Sequence, residues 1–297
     1  MLKCIIGRSS IVFKRYNSTK CATKFTPLCE NYKTLRHIHF PGITPFSQGQ
    51  KIQNAMVNAN LDFKKLESKI RKQQNEIASN GYKLNEYEDN LLKKILDMKP
   101  FPTLLTFEFE NVYTGGKKMK KDLEIGSKIE EYEAMGCKFH QLERGGQVTW
   151  HGQGQLVAYV ILDLKQFLNL SVKCFVDSVL LKAIKETLKK NYNLDSFTNA
   201  NPGVFMSEKD DKIASVGCNI QRAITSYGIA LNVRPDLKFL NSSPMCGLPD
   251  VSATSIKELK HDTNITIKDA GFQYAKELAK LLNITTVEHM SGKDLKL

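Results

Sequence analysis

The chain has 297 residues, 43 Lys+Arg against 31 Asp+Glu, a formal charge of +12 and seven cysteines. At roughly 100–200 residues per domain this is one large domain or two modest ones, long enough to bury a core without disulfide staples. Its 41% hydrophobic and 25% charged residues are ordinary globular composition. No apolar run approaches the roughly 18–20 residues of a membrane span. The surplus of positive charge is the unusual number, and it points to nucleic acid, anionic lipid, an acidic protein or a basic address.

The first 29 residues carry Lys3, Arg8, Lys14, Arg15, Lys20 and Lys24, six Ser/Thr and no acid. That is the composition of a transit peptide, with no secretory apolar region. Arg15-Tyr16-Asn17-Ser18 resembles a mitochondrial matrix-processing site with the cut after Tyr16. Removal of residues 1–16, with flexibility expected to about 29, takes four positive charges and leaves +8. The alternative is a plain basic N-terminus.

Alternation predicts a strand at 35–40; its His37 and His39 share one strand face, a pattern more often structural than metal-binding. From Ser47 a long helix is predicted, with Ile52, Ala55, Met56, Ala59, Phe63, Leu66 and Ile70 on one stripe. Residues 73–100 are polar, with one amphipathic patch at Leu91, Leu92, Ile95 and Leu96. They read as a surface insertion ended by Pro100 and Pro102. Strands follow at 104–110 and, as a mostly apolar buried run, at 156–164. Ser171 caps a helix whose stripe includes Val172, Phe175, Val179, Ile184 and Leu188, with Lys189 and Lys190 in its last turn. Residues 203–206, a polar turn at 207–211, and 212–220 form a hairpin, and 227–233 a further strand. Thr266 and Asp269 make a capping box for a last helix through about Leu282, followed by a tail at 286–297. Interleaved strands and helices without a repeat give a single α/β (α+β) domain, 30–285.

The cysteines, an odd number without a C-x-x-C pair, spell neither a zinc site nor a redox motif and suit a reducing compartment. Three glycine-bearing clusters stand out. Arg144-Gly-Gly-Gln-Val-Thr-Trp-His151-Gly-Gln-Gly-Gln155 precedes the buried strand. It is neither a dinucleotide fingerprint nor a phosphate loop, which leaves a ligand-cradling loop or plain tight turns. Lys212-Ile-Ala-Ser-Val-Gly217 puts a lysine at a strand edge, usually a solvated place. Ser243-Pro-Met-Cys246-Gly-Leu-Pro-Asp250 holds a cysteine in a constrained loop, a better nucleophile setting than a helix stripe.

Together the clusters resemble the lipoyl(octanoyl) transferases of protein lipoylation. The first matches Arg-Gly-Gly-x-x-Thr-aromatic-His-Gly-x-Gly-Gln and the second Lys-Ile-x-x-x-Gly, followed by Gly228-Ile-Ala-Leu-Asn232. The third matches Cys-Gly then Thr-Ser, at Cys246-Gly247 and Thr254-Ser255. Residues 35–67 and Val112-Tyr-Thr-Gly115 also resemble the family's N-terminal half. The resemblance implies a single domain of the biotin/lipoate protein ligase type, a mixed sheet with packed helices. It implies an acyltransferase that moves octanoyl from octanoyl-acyl carrier protein, through a Cys246 thioester, to a lysine of a lipoyl-carrier domain. Such acceptors are the glycine-cleavage H protein and 2-oxoacid dehydrogenase E2. Lys212 takes the general acid/base role, which near neutral pH requires a lowered pKa. Arg144, Gly145, Gly146, His151, Gly152, Gly154, Ser215, Val216, Gly217, Tyr227, Gly228 and Ala230 are the implied substrate-binding residues, the glycine loop 145–154 bordering an acyl tunnel. No metal and no bound cofactor are implied; a monomer in the mitochondrial matrix is expected. The family commonly has Pro at Gln153 and His at Tyr227, so a general-base role at 227 is in doubt.

Two other readings compete. An ATP-dependent lipoate ligase resembles the same fold, but its loop is Arg-Arg…Gly-Gly-Gly-x-Val-Tyr-His-Asp and it needs no nucleophilic cysteine. A nucleic-acid-binding module would need a basic stripe with aromatics, and only Lys117–Lys121 offers a run of lysines. That run, next to Val112–Gly115, is expected instead to meet an acidic protein partner.

Overall fold

The computed structural model describes residues 21–22, 24–121, 125–206, 211–242, 251–261 and 264–295. The expected targeting segment 1–16, the hairpin turn at 207–210 and Cys246 lie outside them. In chain order the elements are β1 (Thr26–Pro27), β2 (Thr34–Thr44), α1 (Phe46–Ser79), α2 (Glu86–Asp97), β3 (Thr103–Phe109), β4 (Val112–Gly115), α3 (Ile125–Ala134), β5 (Lys138–Gln141), β6 (Val148–His151), β7 (Gln155–Ile161) and β8 (Phe167–Leu168). A helix follows that begins as α4 (Val172–Cys174), widens to a π-helix over Phe175–Leu181 and continues as α5 (Lys182–Tyr192). Then come β9 (Ser196–Phe197), β10 (Val204–Met206), β11 (Lys212–Gln221), β12 (Ile224–Asn232), α6 (Leu237–Asn241), α7 (Ile256–Leu259), α8 (Ile267–Leu281) and β13 (Thr286–Ser291).

Eight strands make the main sheet, in the order β13-β2-β3-β7-β12-β11-β10-β9, and β5-β4-β6 make a small one. β13, β2 and β3 run parallel, and every other neighbour in the main sheet is antiparallel. All seven residues of β7 are buried, as its continuous apolar run requires of a central strand covered on both faces. One face packs on the Val172–Tyr192 helix and α8, with Leu180, Ile184, Tyr274 and Leu278 fully buried. The other packs on α1 through Phe46, Phe107, Phe109 and Tyr159. A third cluster, including the stacked Tyr113 and Tyr132, sits on the small sheet.

The helix ends follow from sequence. Ser171 Oγ accepts from Cys174 N–H at 3.2 Å, and Thr266 and Asp269 cap α8 reciprocally. Asn193, at φ 50°, takes the left-handed position that ends α5, a conformation asparagine tolerates.

Five expectations change. α1 runs on to Ser79, since a polar run of Gln, Glu and Lys is still good helix sequence; α2 follows as a surface helix with no buried residue. The buried side of α1 is turned from the expected stripe: Gly49, Ile52, Gln53, Asn60, Leu61 and Ile70 are buried, while Ala55, Ala59 and Leu66 are exposed. Two buried amides, which a hydrophobic pattern cannot register, account for the rotation. The expected tail begins as β13, the edge strand beside β2. Residues 25–28 are built in as well: Phe25 is buried, β1 pairs with β8 and Leu28 N–H donates to Gln166 O. Cys21 and Cys174 form a disulfide, with Cα atoms 5.5 Å apart and 153 residues between them in sequence, a pairing spacing alone could not show. His37 and His39 both bond Thr106 Oγ1, and His37 Nδ1 lies 2.8 Å from His289 Nδ1.

Candidate active site

Residues 144–155 form the joint between the two sheets. β6 pairs with β4 in the small sheet, residues 152–154 turn, and β7 enters the main sheet. Arg144, 6% exposed, organises the start of this joint. Its guanidinium donates to the carbonyls of Gly145, Gln147 and Thr114 and to Thr114 Oγ1. Gly145 N–H donates to Cys218 O, tying the loop to β11.

The second matched segment and the Gly228–Asn232 stretch that follows it face each other across the β11–β12 ladder: Ser215 opposite Ala230, Val216 opposite Ile229, Gly217 opposite Gly228. A Cβ on Gly228 would lie 2.3 Å from Ala158 O, so only glycine lets the strands close there. One residue earlier, Tyr227 has φ 59°, rare for a bulky side chain. Its N–H donates to Gln53 Oε1 of α1 at 2.5 Å, and Gln50 Nε2 donates to its phenol at 3.3 Å. Alongside, the Thr225 hydroxyl donates to Val160 O and accepts from Leu162 N–H, standing in for ladder bonds. Burial pushes the Tyr227 phenol up from its ordinary value, so it stays protonated.

These segments enclose a narrow cavity of about 30 Å³. Arg144, His151, Ser215, Val216, Gly217, Tyr227, Gly228 and Ala230 line it, together with Leu142, Thr149, Val157, Tyr159 and Ile229, which motif matching did not single out. Gly145 and Gly146 sit behind Arg144. None of Gly145, Gly146, Gly152 and Gly154 borders the cavity; of residues 144–155 it is Arg144, Thr149 and His151 that do, so the expected glycine border is replaced by side chains. Gly154, at φ 83°, donates to Glu108 Oε1, and a Cβ there would strike the Arg234 backbone; it serves the turn between sheets.

His151 is buried, its ring parallel to Phe46 with centroids 6.2 Å apart. Burial, with the Arg144 cation adding to it, holds its pKa down at about 4, so it is neutral near pH 7. Its Nδ1 lies 2.8 Å from Gln155 Oε1.

Lys212 is 1% exposed and is not part of the cavity wall. Its Nζ lies 5.4 Å from the Phe205 ring centroid, and Gly203, at φ 142°, makes room for its stem: a Cβ there would be 2.4 Å from Lys212 Cε. Residues 252–254 are fastened to this strand, and Asn241 is tied in turn to residue 253. Lys212 N–H donates to Ser252 O at 2.8 Å, Thr254 N–H donates to Lys212 O at 3.0 Å, and Ala253 N–H donates to Asn241 Oδ1 at 2.8 Å. Cys218, half-buried on β11 opposite Tyr227, is a poor nucleophile because burial pushes its thiol up to about 11. Among the described residues, no group of three His, Cys, Asp or Glu side chains is placed to hold a metal ion.

Residues 80–279 match the family described as the Lipoyl protein ligase A/B catalytic domain. The chain belongs to this family. Among curated members it is 41% identical to the mitochondrial octanoyltransferase of Kluyveromyces lactis, covering 95% of this chain and 91% of the relative. It is also 41% identical to the mitochondrial octanoyltransferase of Saccharomyces cerevisiae, covering 91% and 88%. The lipoate-bound crystal structure of the P. falciparum protein LipL1 superposes with a TM-score of 0.56 at 12% identity, over 88% of this chain and 66% of that one. That likeness shows the fold: an α/β domain of the lipoate ligase type, as expected.

Proposed function

We propose that this chain is an octanoyltransferase of protein lipoylation, working in the mitochondrial matrix on octanoyl-acyl carrier protein and on lipoyl-carrier domains. Octanoyltransferase relatives at 41% identity over nearly the whole chain support the activity. The observation that carries it is structural: the matched segments 144–151, 215–217 and 227–230 converge on one cavity, while the segment after Cys246 is bonded to the Lys212 backbone.

The chemistry runs in two halves. Cys246 attacks the octanoyl thioester, its proton passes to Lys212, and the carrier's thiol leaves with that proton. An acceptor lysine then attacks the enzyme thioester, the C–S bond breaks, the amide forms, and Lys212 moves the amine proton to the departing Cys246 sulfur. A thioester is already activated, so no ATP is consumed. An apolar cavity of about 150 Å³ accepts benzene; one of about 30 Å³ therefore admits an octanoyl chain only as side chains in its wall turn aside. Lys117, Lys118 and Lys120 lie beside the glycine loop, with Lys117 N–H on Arg144 O and Lys118 N–H on Gly146 O. They are suited to steer an acidic carrier.

Intact mass after mixing with octanoyl-acyl carrier protein tests the reading. The expected product is one octanoyl adduct, removed by hydroxylamine and absent in Cys246→Ala; an adduct that persists in that variant overturns the mechanism. Lys212→Ala should lose acylation by ~10³-fold or more, and near-normal rates would remove Lys212 from its role.

A further inference from the structure

A line of buried amides runs from the cavity to the strand of Lys212. Asn232 Nδ2 lies 2.9 Å from Thr254 O and 3.5 Å from Lys212 O. Both are backbone carbonyls, which only accept, so the Asn232 nitrogen must point at them and its Oδ1 must face the other way. Gln155 Nε2 is 2.9 Å from that Oδ1 and must donate to it. The Gln155 oxygen is then left for His151 Nδ1, 2.8 Å away, and it can only accept. Each orientation in the chain is forced by the one before it, starting from two carbonyls that cannot flip. His151, Gln155 and Asn232 are all at most 6% exposed, so water does not loosen the sequence.

We infer that Gln155 and Asn232 are positioning residues that fix His151 as its Nδ1–H tautomer, so that Nε2 accepts an N–H of the incoming lysine amine. This rests on the octanoyltransferase reading and assigns His151 to its second half. A thioester carbonyl gathers negative charge as it is attacked and needs hydrogen-bond donors. A neutral ring whose one proton is committed to Gln155 has none to give. A lone pair on the cavity wall suits an amine, held by one N–H while its nitrogen attacks the acyl carbon and its other proton leaves to Lys212. The network ends on the Lys212 carbonyl, which ties the ring's orientation to the strand that carries the proposed base.

Histidine side-chain ¹H–¹⁵N spectra test the tautomer without any turnover, with the His151 signal assigned by its loss in His151→Phe. The expected wild-type pattern is a protonated Nδ1 and a bare Nε2 from pH 6 to 9; a protonated Nε2 overturns the proposal. In Gln155→Leu the Nδ1–H preference should disappear, and discharge of octanoyl-enzyme onto a lipoyl domain should slow by ~10–100-fold, the range seen when partners orienting a functional histidine are removed. Formation of octanoyl-enzyme should fall several-fold less. An unchanged tautomer, or equal slowing of both halves, sinks it. Gln155→Glu, whose carboxylate still accepts from Nδ1 but gives up the donor to Asn232, should keep the Nδ1 protonated and raise the His151 pKa. That variant and the wild-type spectrum decide the matter even if Gln155→Leu does not fold. If the wild type forms no octanoyl adduct, the octanoyltransferase reading fails, whereas the tautomer is read independently.

Discussion

The two faces of the main sheet are covered in different ways. Against the Val172–Tyr192 helix and α8 the filling is largely aliphatic: Leu180, Ile184, Leu188, Leu278 and Leu282 are all fully buried. Against α1 it is aromatic, and two glutamines reach across to Tyr227. The cavity opens on the second face, where Val157, Tyr159, Tyr227 and Ala230 belong to both wall and core. The first face can serve stability alone. The second must also hold a strained tyrosine and a neutral histidine, so polar side chains are spent where apolar ones would pack more simply.

Substitution on each face separates these duties. Ile184→Ala on the aliphatic face removes a fully buried side chain and should cost ~2–5 kcal/mol in denaturant unfolding, with octanoylation per folded molecule unchanged. A loss of specific activity there would erase the contrast. Gln53→Leu on the α1 face leaves the Tyr227 N–H buried without its acceptor and should cost ~1–3 kcal/mol. Unlike Ile184→Ala, it should also slow acyl transfer, read as rate at matched folded concentration.

Protonation probes the fold's edge. His37 is held down to about 3, first by burial and then by its neighbours His289 and His39. The unfolded chain takes up that proton near pH 6.5, well before the native one does, so stability falls as pH drops through 6.5 toward 3. Unfolding between pH 7 and 4.5 should show a loss of about 2 kcal/mol from this site, flattened in His37→Gln. The lysines proposed to meet the acyl carrier should give a smaller effect. Neutralising Lys117, Lys118, Lys120 and Lys121 should raise the apparent KM for octanoyl-acyl carrier protein and weaken its dependence on salt. If neither moves, that charge serves solubility. Smallest of all, Cys218→Ala should leave the octanoyl adduct intact, since its thiol stays protonated at neutral pH.

What was legible in the sequence was what lies close together along it. The run 144–151 sits at one joint because its glycines and its arginine act on their own neighbourhood, and the capping box at Thr266 is local in the same sense. The central position of β7 followed from an unbroken apolar run. The amides were not legible. Gln53 meets Tyr227 across 174 residues, and Gln155 meets Asn232 across 77. Each looks like a surface residue until the sheet brings its partner alongside. The rotation of α1 was hidden for the same reason, and so was the Cys21–Cys174 pair.

The sheet joins the chain's beginning to its end, with residues 34–39 in register with residues 286–291. A piece that lacks either segment cannot complete that edge. A chain emerging from a ribosome, or threading unfolded through a narrow passage, reaches its final topology only once its last strand is free to dock. Until then β2 offers one side unpaired, and such long-range closure is intrinsically slow. Truncation by even a dozen C-terminal residues should therefore leave an exposed strand edge, with aggregation during refolding as its signature.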